Sequence, residues 1–348
     1  MSNASATHLT RRGVLAAGGA LGLGAVLAAC GDDEAKSGGS GEETAAAKSG
    51  PWTFKDDRGT TVKLDKAPAN IVAFTGVAAA LYDYGISVKG VFGPTKTTDG
   101  KADVQAGDMD ISKVTILGNV WDQFNVEKYA ALAPDVLLTT TFDDAGTLWY
   151  VPEASKDKIA KLAPSAAISV FDRQMAEPLQ RMWELAESLG ADMKADKVVQ
   201  AKKKFEEAAA RLRAAAKAKP EIKVMAGSAS AELFYVSGTN FSIDLEYFKA
   251  LGVNFVEPSE KAKEATGGWF ESLSWENVDK YDADIIIMDD RSSTIQPADI
   301  TEATWKKLPA VKAGQVIARS PEPILSYDKC TPLLENLAEA IENAKKVG

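Results

Sequence analysis

The sequence predicts an α/β protein built as two α/β lobes with central sheets, joined by a single long α-helix, with a cleft between the lobes. Three observations predict it. First, NVEKYAALAPDVLLTTTFDD (125–144) and NVDKYDADIIIMDDRSS (277–293) repeat one phrase, a helical start followed by a short apolar run. Second, residues 191–219, ADMKADKVVQAKKKFEEAAARLRAAAKAK, contain no Gly or Pro and are dense in Ala, Lys and Glu, which favours one uninterrupted helix. At about 1.5 Å per residue that helix is a strut of about 40 Å. Third, short β-branched runs separated by helical patterns recur on both sides of the strut, the alternation expected of βα units.

The elements follow in chain order. Arg11-Arg12 precede an apolar, acid-free stretch that ends in Leu27-Ala28-Ala29-Cys30. This is the layout of an export signal, too short and glycine-rich to span a membrane well. The arginine pair resembles a twin-arginine signal. Leu27–Cys30 resembles a bacterial lipobox, which implies cleavage before Cys30 and lipid attachment to its sulfur, so that residues 1–30 are the export segment. Residues 31–50 are Gly, Ser, Ala, Glu and Lys with little else, a flexible linker that cannot bury enough apolar surface to fold.

The N-terminal lobe, 51–190, offers strands near 70–75, 88–92, 114–117, 135–140 and 166–170. In the first repeat Asn125 reads as a helix cap with Glu127 in the first turn. Val126, Tyr129, Ala130 and Leu132 then fall at helical spacing, and Pro134 closes the helix before the buried run DVLLTTT. After the strut, the C-terminal lobe, 220–348, offers strands near 222–228, 232–237, 253–256, 283–289 and 314–318, with helical patterns at 241–251 and 333–344. Val278 and Tyr281 take the helical part in the second repeat. A short helix feeding a buried strand is half of a right-handed βαβ unit, so two copies imply two lobes of related construction.

Composition narrows the function. The chain carries 40 Lys+Arg against 49 Asp+Glu, a formal charge of −9, and removal of Arg11 and Arg12 with the leader makes it −11. No basic face for nucleic acid is visible. The single histidine is His8, inside the leader, so the exported chain has no Ser-His-Asp or Cys-His system, no histidine ligands for zinc and no histidine ligand for haem iron. No catalytic constellation is left, and the chain reads as a binding protein rather than an enzyme. With Cys30 lipidated, Cys330 has no disulfide partner and reads as a small packed residue.

PANIVAFTGVAAALYDYGISVKGV (68–91), GNVWDQFNVEKYAALAPDVLL (118–138), GGWFESLSWENVDKYDADIII (267–287) and ATWKKLPAVKAGQVIA (303–318) come in the order seen in a known family. With the strut and the lipobox, the chain resembles the substrate-binding lipoproteins of bacterial ABC importers, in the branch that carries ferric siderophores and cobalamin. The resemblance implies a ligand held between the lobes and delivered to a permease in the cytoplasmic membrane. It also implies a lipid anchor at the membrane's outer face, and one acidic residue per lobe, Glu127 and Glu276, meeting the permease. Helix-dipole compensation accounts for those two acids equally well. A monomer is expected, with no cofactor of its own, since a hexadentate siderophore already fills the coordination sphere of its iron. A cobalamin or haem carrier on the same scaffold is the alternative.

In open α/β sheets ligands sit outside the carboxyl ends of the strands, and the loops there are rich in rings. They supply Phe74, Trp121, Phe142, Trp149 and Tyr150 in the first lobe, and Tyr235, Trp269, Phe270 and Tyr327 in the second. Such faces suit a bulky, part-apolar ligand. Arg291 and Arg319 suit hydrogen bonds to iron-bound oxygens. Two arginines without a lysine cluster point to a neutral or cationic hydroxamate chelate, of the ferrioxamine or ferrichrome kind, over a triply anionic catecholate. Trp183, Trp275 and Trp305 read as core.

Overall fold

The computed structural model describes residues 50–348, so the export signal, Cys30 and the linker up to residue 49 lie outside the described residues. Strands β1 (Trp52–Lys55) and β2 (Thr61–Leu64) form an antiparallel hairpin that the sequence reading leaves unassigned. Its burial alternates strictly in β1, a pattern too short to stand out from a loop. There follow β3 (Ile71–Phe74), α1 (Thr75–Asp83), β4 (Gly90–Phe92), β5 (Thr115–Gly118), α2 (Val126–Ala131), β6 (Val136–Thr141), α3 (Lys156–Leu162), β7 (Ser165–Ser169) and α4 (Ala176–Ser188). The strands make a five-stranded, all-parallel sheet in the order β5-β4-β3-β6-β7. The central strands β3 and β6 are buried along their whole length, because helices cover both faces.

The connecting helix α5 spans Asp196–Ala218, 23 residues, or about 35 Å. It starts later than residue 191 because Asp192 folds the chain into a turn first: its carboxylate accepts from Lys194 N at 2.9 Å and its carbonyl accepts from Ala195 N. Beyond α5 come β8 (Lys223–Ala229), β9 (Leu233–Ser237), α6 (Ile243–Ala250), β10 (Asn254–Phe255), α7 (Glu260–Lys263), β11 (Phe270–Ser274), β12 (Ile285–Asp289), α8 (Pro309–Lys312), β13 (Val316–Arg319) and α9 (Tyr327–Asn343). This second sheet is mixed, in the order β11-β9-β8-β12-β13, with β8, β12 and β13 parallel and β9 antiparallel to both its neighbours, β8 and β11. The short β10 lies beside the start of β8.

The repeat is unequal in three dimensions. The first copy forms α2, capped by Asn125, whose side chain accepts from Lys128 N at 2.8 Å. The second copy lacks one helical turn of sequence before its strand, and only the 3₁₀ turn Trp275–Asn277 forms. Helix α9 also begins six residues earlier than expected, with Pro332 inside it. Ser326 caps it by accepting from Lys329 N, and the proline removes a single backbone donor near that end.

Helix α5 packs along α9, tied by an Arg211–Glu342 ion pair and by Lys219 donating to two carbonyls at the end of the chain. One buried apolar cluster runs from the first sheet through α5 and α9 to one face of the second sheet. A second, smaller cluster covers the opposite face of that sheet and contains Trp275 and Trp305. Cys330 is fully buried in α9, and burial pushes its thiol pKa up. No helix among the described residues is long and apolar enough to cross a membrane.

Candidate functional site

The carboxyl ends of β3, β6, β12 and β13 converge where the lobes meet. On the N-terminal side the rings expected from sequence are brought together. Phe142 and Trp149 have ring centroids 4.3 Å apart, Trp121 and Trp149 4.9 Å, Trp121 and Tyr150 5.1 Å, and Phe74 and Tyr150 5.3 Å. Local geometry sets this wall. Thr140 O accepts from Trp149 N at 3.0 Å, and Thr139 Oγ1 donates to Trp149 O, so the loop after β6 folds back onto its own strand. Tyr150 then adopts φ 59°, a left-handed conformation rare for a bulky residue, and both neighbouring rings meet Trp121.

Trp121 itself is carried by a loop that doubles back at Gly118. A Cβ there would lie 1.8 Å from Gln123 O, so only glycine permits the turn. Trp121 remains 53% exposed, the outermost ring, while Phe74 is buried at the base. Burial first, and the negative charge of Glu322 next, push the Tyr150 hydroxyl pKa up to about 12.

The C-terminal side is less concentrated. Tyr235 and Phe270, on paired strands β9 and β11, meet edge to face at 5.1 Å. Phe270 therefore starts a strand, where a cleft loop is expected from sequence. Trp269 follows two glycines at positive φ and packs on Phe241. Phe241 in turn stacks on Phe171 of the other lobe at 4.9 Å and an interplanar angle of 8°.

The two arginines part company. Arg291 lies at the interlobe face, its side chain 32% exposed. Its Nε and Nη2 donate to Asp289, and its Nη1 donates to Glu322 at 2.5 Å. Burial opposes its charge, but these carboxylates outweigh that and raise its pKa. Arg319 is not offered to a ligand. It is 5% exposed and donates through Nε and Nη2 to Asp244 at 2.7 and 3.0 Å, because a guanidinium buried that deeply needs a matched carboxylate.

Tyr327 is likewise outside the cleft. It is 6% exposed, and its ring packs on Phe205 of α5 and Trp183 of α4, since α9 begins six residues earlier than its apolar pattern and draws Tyr327 onto the strut. Glu127 and Glu276 are both exposed, each the second residue of its helical turn. The backbone N–H of Glu276 and then Ser274 lower the Glu276 pKa.

Sequence reasoning passed over Glu322. Its Oε2 accepts from Gln105 Nε2 and from Trp149 Nε1, each at 3.1 Å. It thus ties the first lobe to Arg291 of the second. The available signal was an acid between two prolines, SPEPIL, directly after the last strand. Phe171 and Phe241 were also passed over, for want of any distinguishing spacing. Beneath the rings is a small interlobe cavity of about 20 Å³, lined by Phe74, Thr140 and Phe142 on one side and Ile243, Pro321 and Glu322 on the other. It has room for about one water. A larger interlobe cavity of about 400 Å³ adjoins Glu322 and Arg291, within the range of small-molecule sites.

Two lobes, one long helical crossing and a ring-lined interface are the construction of a ligand-binding protein. Residues 71–323 match the periplasmic binding protein family, and the chain belongs to that family, one of binding proteins and not of enzymes. It is similar to DesE, a ferric-siderophore receptor protein from Streptomyces coelicolor, with 84% identity over 85% of this chain and 100% of that one, at TM-score 0.84. The siderophore periplasmic binding protein from the fuscachelin gene cluster of Thermobifida fusca shares the fold at 21% identity, with 79% of this chain and 96% of that one covered, TM-score 0.56. So does the petrobactin-binding protein YclQ from Bacillus subtilis, at 17% identity, with 84% and 99% covered, TM-score 0.60. Among curated proteins none matches the chain.

Proposed function

We propose that this chain is the extracytoplasmic binding component of an ABC importer and captures a ferric siderophore of the hydroxamate type, such as ferrioxamine or ferrichrome, for delivery to a membrane permease. The observation that carries the reading is the 84% identity to a ferric-siderophore receptor over that receptor's whole length. The ring wall of Phe74, Trp121, Phe142, Trp149 and Tyr150 supports it, offering flat apolar faces to the bulky organic shell of a chelate. The charge around the cleft supports the hydroxamate class: Arg291 is matched by Asp289 and Glu322 and carries no surplus positive charge for a trianion. Iron arrives as cargo inside the chelate, and the protein supplies no ligand to it.

In this reading Cys30 carries the lipid that holds a monomeric protein at the outer face of the cytoplasmic membrane, after export that the twin-arginine route suits. Glu127 and Glu276, exposed on separate lobes, are the acids that meet the permease.

Titration of intrinsic fluorescence tests the ligand class. A ferric tris-hydroxamate is expected to quench the tryptophans saturably, and Trp121→Ala to weaken binding about tenfold, the scale of one aromatic contact with its buried area. Quenching by cobalamin or a tris-catecholate, with none by a tris-hydroxamate, would overturn the assignment.

A further inference from the structure

We propose that Glu322 is the residue that sets charge selectivity in the cleft, turning away anionic ferric chelates by neutralising Arg291. The inference rests on the siderophore reading above and deepens it. The carboxylate is fixed in place: Trp149 and Gln105 hold one oxygen and Arg291 the other, so it cannot swing away from the cleft without breaking three hydrogen bonds. Its side chain is 11% exposed, where its field is weakly screened.

The adjoining cavity of about 400 Å³ is lined by the carboxylates of Asp103, Asp108, Asp290 and Glu322, against the cations Arg291 and Lys329. Both cations are already paired, Arg291 with Asp289 and Glu322 and Lys329 with Asp108. Asp290 adds a buried carboxylate oxygen with no hydrogen-bond partner. A guest with three negative charges meets net repulsion here, whereas a neutral tris-hydroxamate does not. Glu322 is the member of this set that also touches the ring wall, through Trp149, so its charge lies closest to any chelate resting on those rings.

The test compares two probes, ferrichrome as a neutral ferric tris-hydroxamate and a ferric tris-catecholate of charge −3, on the full-length exported protein. In Glu322→Gln, which keeps an acceptor for Trp149 and Gln105, the affinity for the tris-catecholate relative to ferrichrome is expected to rise at least tenfold. Glu322→Asp, which keeps the charge, and Glu207→Gln, which removes an exposed charge on α5 that lines neither cavity, are expected to leave the ratio within about threefold of the parent.

A ratio unchanged in Glu322→Gln, an equal rise for both probes, or the same shift in Glu207→Gln would each overturn the inference. Failure of the unsubstituted protein to bind ferrichrome while it binds cobalamin would instead sink the siderophore reading, and is distinguishable because it appears before any substitution is made.

Discussion

Arg291 and Arg319 read alike in sequence, each an arginine at or just past the end of a short apolar strand. Their environments divide them. Arg291 stays at the interlobe face beside Glu322, whereas Arg319 closes a buried pair with Asp244, a residue 75 positions away that nothing local announces. Long-range pairing of this kind is invisible to pattern, since a buried charge advertises its partner only once the chain is folded. Arg319→Met tests the assignment. It leaves Asp244, 1% exposed, as an uncompensated charge, which costs about 3–5 kcal/mol. The melting temperature is expected to fall by roughly 6–20 °C at about 2–4 °C per kcal/mol. A fall of under about 2 °C would mean that the pair is not a structural one. Glu322 was missed for the same reason: its role comes from three donors on two lobes, and single acids in proline-flanked loops are commonplace.

At the scale of elements, the parallel strands were legible because continuous apolar, β-branched runs such as VLLTTT and IIIMD admit few other readings. Strand β11, FESLS, was not, because alternating polar residues beside two glycines resemble a loop. The repeated phrase correctly announced two related lobes but overstated their likeness, for only one copy has enough residues for an α-helix. Glu127 and Glu276 nevertheless occupy the same place, second in their helical turns and exposed on either lobe. Reversing both charges, Glu127→Arg with Glu276→Arg, is expected to abolish import of labelled chelate while fluorescence titration shows ligand binding unchanged. Import that persists in the double variant would leave these acids as helix-dipole partners only.

Over the whole molecule, the lobes are joined by more than the strut that composition revealed. A clasp lies behind the cleft, where Ser326 at the start of α9 donates to Asp83 of α1 and Lys329 pairs with Asp108. Asp108 and Asp328 face Asp83 closely, and Lys197 lines the same recess. Burial above all raises the Asp83 pKa from 3.8 to about 6; the Ser326 hydrogen bond and Lys329 oppose that rise. The folded state therefore holds this proton more tightly than the unfolded chain. Stability from this group is complete below about pH 4, declines as pH rises through 6, and is level above that. Asp83→Asn keeps an acceptor for Ser326 and removes the penalty. At pH 7.5 it is expected to stabilise the protein by up to about 3 kcal/mol, at about 1.4 kcal/mol per pKa unit, with the gain shrinking towards pH 4. Denaturant unfolding across that range checks it, and a gain independent of pH would refute the assignment. None of this clasp could be read in advance, because α1 and α9 lie at opposite ends of the described chain.

The uninterrupted apolar seam through α5 and α9 has a practical consequence for anyone turning this scaffold into a detector. Dyes placed one on each half to report a change in separation are expected to register little, because the buried apolar cluster continues from one half through both helices into the other. A single environment-sensitive label at the rim beside Trp121 would register the arriving guest directly.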